Sequence, residues 1–282
     1  MTEYLETEGG TIAYEVHGSG PLVVLAHGMG DSRHSYRFVV PRLVAAGYRV
    51  ANVDIRGCGE SSATWASYSR SDIAADLVAV VRHLGGPAVV VGQSISGGAA
   101  TIAAATAPDV VAGVVELAPF TRKQSFDLLG TLRSARVRAG ATQLLRVMLR
   151  GSVDGWMRYL DIAVPRKPAD WAVEGARIEA TLRRPERMAA LRGMTKASPG
   201  DADEHLGNVH CPVLVIEGSA DPDWADPRAE GLAILAELPS GVGELAVIDG
   251  AGHYPHTETP DAVVDLVLPF LGRTLTEEPL DA

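Results

Sequence analysis

Cysteine is scarce in this sequence of 282 residues. Only Cys58 and Cys211 are present, far apart in the chain and in no C-x-x-C pair. A structural zinc site needs clustered cysteine and histidine ligands, and a small disulfide scaffold needs several cysteine pairs. The sequence therefore argues against both kinds of stabilisation.

Basic residues and long apolar runs are also in short supply. Lys and Arg number 25 against 35 Asp and Glu, and the resulting net charge of −10 argues against a general binder of nucleic acid. No apolar run reaches the roughly 18 residues of a membrane span, and residues 1–8 are acidic without the apolar segment of a secretion signal. We therefore expect a cytoplasmic protein that binds neither nucleic acid nor membrane.

The sequence does contain a regular alternation of two patterns. Because 46% of the residues are hydrophobic, the chain can build a full core. Short β-branched runs predict buried strands, longer amphipathic or alanine-rich segments predict helices, and an alternating stretch near the start predicts an antiparallel hairpin. Together they indicate an α/β fold with a mostly parallel sheet flanked by helices. The parallel strands are expected at 22–26, 49–53, 88–91, 111–116, 213–217 and 244–248, and the helices at 37–46, 71–84, 95–107, 228–238 and 260–271.

The alternation breaks between residues 121 and 200, where leucine and methionine recur at helical spacing without a strand pattern. We predict a helical cap over 121–200, inserted into an α/β core whose two parts are residues 1–120 and 201–282. The inserted segment holds 16 Lys and Arg but 7 Asp and Glu, so it is basic within an acidic chain. Solvated helix faces explain such an excess most simply, and attraction of an anionic substrate or an acidic partner is the alternative.

A candidate nucleophile lies where a predicted strand meets a predicted helix. The strand at 88–91 leads into Gly92-Gln93-Ser94-Ile95-Ser96-Gly97-Gly98, which places Ser94 in a sharp turn. A nucleophile elbow has the pattern G-x-S-x-G because such a turn leaves room only for small flanking residues. Ser96 stands where the pattern has its last glycine. Alone, the motif would also fit an ordinary buried serine at the start of a helix.

Three further elements follow the ends of predicted strands. His27-Gly28-Met29-Gly30 forms a turn after the first of them, and the N–H groups of Met29 and Ile95 are candidate donors of an oxyanion hole. Asp221 and His253 follow the last two strands. Because parallel strands end at one edge of a sheet, we expect these groups to meet the candidate nucleophile there.

The chain order of serine, aspartate and histidine resembles that of the α/β-hydrolase superfamily, and in particular its cap-bearing, esterase-like or lactonase-like members with a serine nucleophile. The resemblance spans about residues 10–120 and 205–272. It includes the loop at residues 54–62, which is similar to the D-x-R-G-x-G-x-S loop of many members with a lid. The resemblance implies that the helical insertion forms a roof over the site.

The resemblance also implies acyl transfer. Ser94 attacks a carbonyl carbon, His253 accepts its proton, Asp221 orients the imidazole and two N–H groups bind the oxyanion, before water hydrolyses the acyl-enzyme. Haloalkane dehalogenases and epoxide hydrolases of the superfamily instead use an aspartate at the elbow, and serine cannot form their alkyl-enzyme ester. No metal and no cofactor are implied.

Several carboxylates compete for the role of the catalytic acid. Asp221 is favoured, and Asp223 and Asp226 in the same loop are alternatives. Glu116 is a separate alternative, because some α/β-hydrolases, including lactonases, carry their acid after the corresponding strand. The histidines expected to have structural roles are His27 and His256.

Taken together, these features predict a cofactor-free serine hydrolase that cleaves a carboxylic ester or lactone with an apolar body. Hydrolysis of carbon–carbon bonds and perhydrolysis use the same triad and stay open, as does a ligand-binding receptor or regulatory protein on the same fold. The expected partner is the small-molecule ester or lactone. The substrate itself, the motion of the cap and the oligomeric state, a homo-oligomer included, also stay open.

Overall fold

A single sheet organises the computed structural model, which describes residues 1–123 and 134–275. Its strands are β1 (Glu3–Thr7), β2 (Gly10–His17), β3 (Leu22–Ala26), β4 (Arg49–Val53), β5 (Ala88–Gln93), β6 (Val111–Leu117), β7 (Val213–Gly218) and β8 (Gly243–Ile248). They lie in the order β1-β2-β4-β3-β5-β6-β7-β8. Strand β2 is antiparallel to both of its neighbours, and all other pairs are parallel. The predicted fold class and the hairpin are confirmed.

Helices connect the strands from β3 onwards. The predicted helix over 37–46 begins late, at Val40, because Pro41 fits only the first turn of a helix; Arg33–Tyr36 forms a short 3₁₀ helix before it. None of the helices in the described parts of the chain is both long and apolar enough to cross a bilayer. The helices are α1 (Val40–Ala45), α2 (Arg70–His83), α3 (Ile95–Thr106), α4 (Ala135–Arg150), α5 (Val153–Ala163), α6 (Trp171–Leu182), α7 (Pro185–Met194), α8 (Gly200–Asp203), α9 (Pro227–Glu237), α10 (Pro255–Glu258) and α11 (Pro260–Leu275).

The core consists of two apolar layers, one on each face of the sheet. Successive side chains of a strand point to opposite faces, so β3 contributes Val24 to the layer with α2 and α3 and contributes Val23 and Leu25 to the layer with α1 and α11. Because both faces are covered, β3 is apolar along its whole length.

The described part of the chain between β6 and β7 contains helices and no strand. Its helices share a separate apolar cluster that includes Trp156, Tyr159 and Leu160, and Tyr254, which follows β8, belongs to the same cluster. Residues 124–133 of the predicted cap lie outside the described residues, as do residues 276–282 of the C-terminal part of the core. The division into core and cap stays a prediction.

Candidate active site

Ser94 lies in the tight turn between β5 and α3. Its φ of +57° and ψ of −120° belong to a region that residues with a side chain rarely adopt, so the fold around it imposes this conformation. Gly92 allows the turn to close, because a Cβ there would lie 2.0 Å from the carbonyl oxygen of Ser96. Ser94 itself is 3% exposed. The turn has the geometry of a nucleophile elbow.

Ser96, which replaces a motif glycine, has a defined role in this turn. Its Oγ donates a hydrogen bond of 2.6 Å to the carbonyl oxygen of His27. The His27 ring is buried, with Nδ1 2.7 Å from the carbonyl oxygen of Gly28 and Nε2 accepting from the N–H of Ile55. These bonds join the elbow to the turn after β3, as a structural role for His27 requires.

The two candidate oxyanion donors lie on either side of Ser94. Ile95 follows it in the chain, and Met29 follows Gly28, where a Cβ would lie only 3.1 Å from Cβ of Ser94. Within residues 1–123 and 134–275, neither the N–H of Met29 nor that of Ile95 donates a hydrogen bond. Both donors are therefore free to bind an oxyanion beside the serine.

His253 and Asp221 form a buried pair. Nδ1 of His253 lies 2.8 Å from Oδ2 of Asp221, and the two residues are 3% and 0% exposed. Two contacts bring residues 249–254, which follow β8 and are called the histidine loop here, next to the elbow. Gln93 Nε2 donates to the His253 carbonyl oxygen over 2.9 Å, and the N–H of Phe120 binds the Ser94 carbonyl oxygen while its ring lies 5.8 Å from that of His253.

A second carboxylate faces the same imidazole. Oδ2 of Asp223 lies 3.4 Å from Nδ1 of His253 and accepts a hydrogen bond of 2.6 Å from the Tyr159 hydroxyl. Asp226 is elsewhere, because its carboxylate caps α9 by accepting from the N–H of Ala229. The sequence did not indicate a role for Tyr159. Its pattern predicts a helix, but not that its hydroxyl binds a carboxylate in the loop after β7.

The carboxylates determine the protonation of His253. Burial lowers the pKa of this imidazole, but Asp221 and Asp223 outweigh burial and raise the pKa from 6.5 to about 9. Burial also raises the pKa of Asp223, which the positive charge of His253 opposes. The imidazole and the Asp223 carboxyl group are thus coupled, with the imidazolium stabilised by the carboxylates that face it.

The structure does not place Glu116, the alternative acid, next to His253. Within the described residues, the carboxylates within 4 Å of the His253 ring nitrogens are those of Asp221 and Asp223. The Glu116 side chain is fully buried in β6 and accepts hydrogen bonds from the hydroxyl groups of Thr101 and Thr121. Burial raises its pKa, which favours the neutral acid.

The histidine loop is also bound to the helical insertion. The N–H of His253 donates to the carbonyl oxygen of Ala163, the last residue of α5, over 2.8 Å. A Cβ at Gly252 would lie 2.2 Å from that same oxygen, so the loop approaches the helix too closely for any other residue. The contacts of Tyr159 and Ala163 make α5 part of the immediate surroundings of the histidine.

His256 has a different environment. Its ring is fully buried, stacks on Tyr36 with the ring centroids 4.6 Å apart, and has no hydrogen-bond partner in the described parts of the chain. Burial lowers its pKa to about 3, so the ring is neutral near pH 7. This neutral, packed ring suits the structural role that we expected.

The carboxylates of Asp221 and Asp223 and the imidazole of His253 are also of the types that bind metal ions. In the described ranges, they are the one group of at least three such residues whose ligand atoms all lie within 4.8 Å of one another. Both carboxylates face the same nitrogen, Nδ1 of His253. The geometry therefore equally serves a protonated imidazole, whose charge the acids neutralise.

A cavity of about 350 Å³ lies next to Met29 and Phe120. Its lining includes Met29, which follows Gly28 beside Ser94, and Phe120, whose N–H binds the Ser94 carbonyl oxygen. Leu144, Met148 and Met194 of the insertion also line it. Apolar walls next to a few polar groups are typical of sites for small organic ligands. The cavity therefore has the character of a site for the apolar part of a small organic ligand.

Known proteins share the sequence pattern and the fold. The model of the alpha/beta hydrolase family matches residues 23–266. The 2-(acetamidomethylene)succinate hydrolase of Mesorhizobium japonicum is 28% identical over 270 residues, which cover 93% of this chain and 91% of that protein. The 2-hydroxy-6-oxononadienedioate/2-hydroxy-6-oxononatrienedioate hydrolase of Klebsiella pneumoniae is 28% identical, with 96% of each covered. A solved esterase from Thermogutta terrifontis has a TM-score of 0.73 at 24% identity, covering 98% of this chain and 100% of that one.

Proposed function

The chain belongs to the alpha/beta hydrolase family, and from this premise we propose that it is a cofactor-free serine hydrolase of a carboxylic ester or lactone with an apolar body. Ser94 is the nucleophile, His253 the general base and Asp221 the acid that orients it. The observation that carries the proposal is the buried His253–Asp221 pair, held by Gln93 beside a serine with a φ of +57°.

In the proposed reaction, the bond between Nδ1 of His253 and Asp221 leaves Nε2 to accept the proton of Ser94 Oγ as that oxygen attacks the carbonyl carbon. The N–H groups of Met29 and Ile95 bind the negative charge that develops on the carbonyl oxygen. The imidazolium then gives its proton to the leaving alcohol, which leaves an acyl-enzyme. Water, deprotonated by His253, releases the acid and restores the serine.

A second candidate is hydrolysis of a carbon–carbon bond next to a ketone, with the same serine and histidine. It is supported by the relative from Klebsiella pneumoniae, which is named as the hydrolase of an oxo-dienedioate. Here the leaving group is a carbanion, so the proton passes to carbon rather than to an alcohol oxygen. A β-diketone beside the esters in one substrate panel separates the two reactions by their products.

We expect a fluorophosphonate probe to label the protein at the peptide that contains Ser94, and short p-nitrophenyl esters to be turned over many times. Mass spectrometry of the labelled peptide and the rate of p-nitrophenolate release are the measurements. Labelling followed by a single slow turnover would instead support a receptor. Multiple turnovers of esters with the label on another serine would contradict the assignment of the nucleophile.

The second carboxylate near His253 leads to a prediction about pH. The imidazole must be neutral to accept a proton, so kcat/KM rises with pH through its pKa, which the two acids raise to about 9. Asp223→Asn removes one of these acids. We therefore expect the rising limb of the kcat/KM profile against pH to move to lower pH by about one unit. The pH profile of ester hydrolysis measures this shift.

Asp226→Asn is the matched control, since this carboxylate lies in the same loop but caps α9 instead of facing the imidazole. Its rising limb should coincide with that of the wild type. If the rising limb of the Asp223→Asn profile stays at the pH of the wild type or moves to higher pH, the coupling of Asp223 to His253 is contradicted.

A further inference from the structure

Arg70 is a buried cation on the wall of the cavity beside the elbow. It is the first residue of α2, is 3% exposed, and lines the same cavity as Met29 and Phe120. Gly98, one turn after Ser94, makes room for it, because a Cβ there would lie 2.8 Å from Cδ of Arg70. Nε of Arg70 donates to the Phe120 carbonyl oxygen over 2.8 Å, which fixes the guanidinium at the cavity.

The charge of Arg70 has no partner in contact. Nη1 donates over 3.3 Å to the carbonyl oxygen of Ala197, and within the described residues Nη2 has no acceptor and no carboxylate lies within 4 Å of the guanidinium. Burial lowers the pKa of Arg70 to about 10, and the charge of Asp201 opposes this shift. The side chain is therefore positive at neutral pH. A buried charge without a counter-ion is costly, and an anionic ligand would remove that cost.

We propose that this cavity recognises substrates with a carboxylate remote from the scissile bond, which binds the guanidinium of Arg70. This inference rests on the proposed function, since it places the reacting carbonyl at Ser94. Among the described residues that line the cavity, Arg70 is the one charged side chain, and the rest of the wall is largely apolar. The preferred substrate is thus the half-ester of a dicarboxylic acid or a carboxyl-bearing ester or lactone.

A carboxylate fits this wall better than a phosphate group does. A phosphate monoester carries between about −1.5 and −2 charges near pH 7 and three acceptor oxygens. A single guanidinium with one free nitrogen would leave part of that charge uncompensated among apolar side chains. A carboxylate has one charge, and its hydrogen bond to a charged donor is among the stronger ones in proteins.

The test compares p-nitrophenyl esters of acyl chains of increasing length that end in a carboxylate with matched esters that end in a carboxamide. A second series carries the carboxylate or carboxamide on the alcohol part. For at least one chain length in one of the two series, we expect kcat/KM of the wild type to be about 10- to 100-fold higher for the carboxylate ester than for the matched carboxamide ester. Arg70→Met should lower this ratio towards one, whereas Arg70→Lys should keep part of it.

Arg82→Met is the matched control, because Arg82 lies exposed on the same helix and should leave the ratio of the wild type unchanged. The inference would be overturned if the wild type hydrolysed the carboxylate and carboxamide esters of both series equally well. It would also be overturned if Arg70→Met left the ratio of carboxylate to carboxamide kcat/KM unchanged. Calorimetric titration of the wild type with glutarate, adipate and their diamides needs neither turnover nor a folded variant. Binding of the diacids and not the diamides is expected, and equal behaviour of the two would contradict the inference.

The same experiments separate this inference from the proposed function. If esters are hydrolysed with equal rates for carboxylates and carboxamides, the recognition of an anion by Arg70 is wrong and the serine hydrolase stands. If no ester is hydrolysed while diacids bind through Arg70, the proposed reaction is wrong and the anion site stands.

Discussion

Replacing Ser94 by alanine is expected to lower kcat for ester hydrolysis by about a million-fold, the scale seen when serine hydrolases lose their nucleophile. In the proposed mechanism, the alanine leaves no oxygen to form the acyl-enzyme, whereas the N–H groups of Met29 and Ile95 remain available to an oxyanion. A small residual rate above that in water should therefore persist. Steady-state kinetics with a p-nitrophenyl ester, and circular dichroism to check the fold, are the measurements.

Ser96→Ala is the matched control for this variant. It removes a hydroxyl two residues away that holds the carbonyl oxygen of His27 and takes no part in the proposed chemistry. We expect a loss well below that of Ser94→Ala, about 100-fold at most, because only the position of the Met29 turn is disturbed. A Ser94→Ala protein within tenfold of the wild type would exclude the acyl-enzyme mechanism.

Asp221→Asn is expected to lower kcat by about 1,000- to 10,000-fold. The amide that replaces the carboxylate neither stabilises the imidazolium nor holds the tautomer with the proton on Nδ1 of His253, which proton transfer from Ser94 requires. Asp223 lies 3.4 Å from the same nitrogen and supplies part of the missing charge. The double variant Asp221→Asn/Asp223→Asn should therefore lose more activity than Asp221→Asn alone.

Glu116→Gln tests the competing assignment of the acid. Its carboxyl group is bound by Thr101 and Thr121, and a glutamine oxygen accepts the same two hydrogen bonds. We expect kcat to remain within tenfold of the wild type, measured beside Asp221→Asn under the same conditions. A larger loss from Glu116→Gln than from Asp221→Asn would reverse the assignment.

Local patterns were sufficient to predict much of the sheet and the location of the elbow. The strand at Leu22–Ala26 is buried on both faces, so its β-branched run carries a signal that needs no knowledge of its neighbours. The turn at Ser94 carries a signal of the same kind, because a strand, a small-residue turn and a helix follow one another in the chain. The predicted start of α1 at residue 37 is wrong, because Pro41 fits only the first turn of a helix and α1 begins at Val40.

Contacts across long stretches of sequence were beyond such patterns. Tyr159 reaches Asp223 across 64 positions, and Arg70 reaches the carbonyl oxygen of Ala197 across 127. A helical repeat predicts that a segment is a helix and which of its faces is apolar, but not which loop of another part of the chain it meets. The sequence likewise could not show that Asp221 lies 2.8 Å from Nδ1 of His253 while Glu116 binds Thr101 and Thr121.

The bonds from α5 to the histidine loop have a consequence for how such proteins diversify. If selectivity resides in the helical insertion, exchanging that segment between relatives is an obvious route to new specificity. In this chain, however, a transplanted segment would have to reproduce the hydroxyl of Tyr159 and the carbonyl oxygen of Ala163 as well as a new pocket wall. Chimaeras that ignore those two groups would alter the basicity of the imidazole together with the choice of ligand, so the insertion and the C-terminal loops must be recombined as one unit.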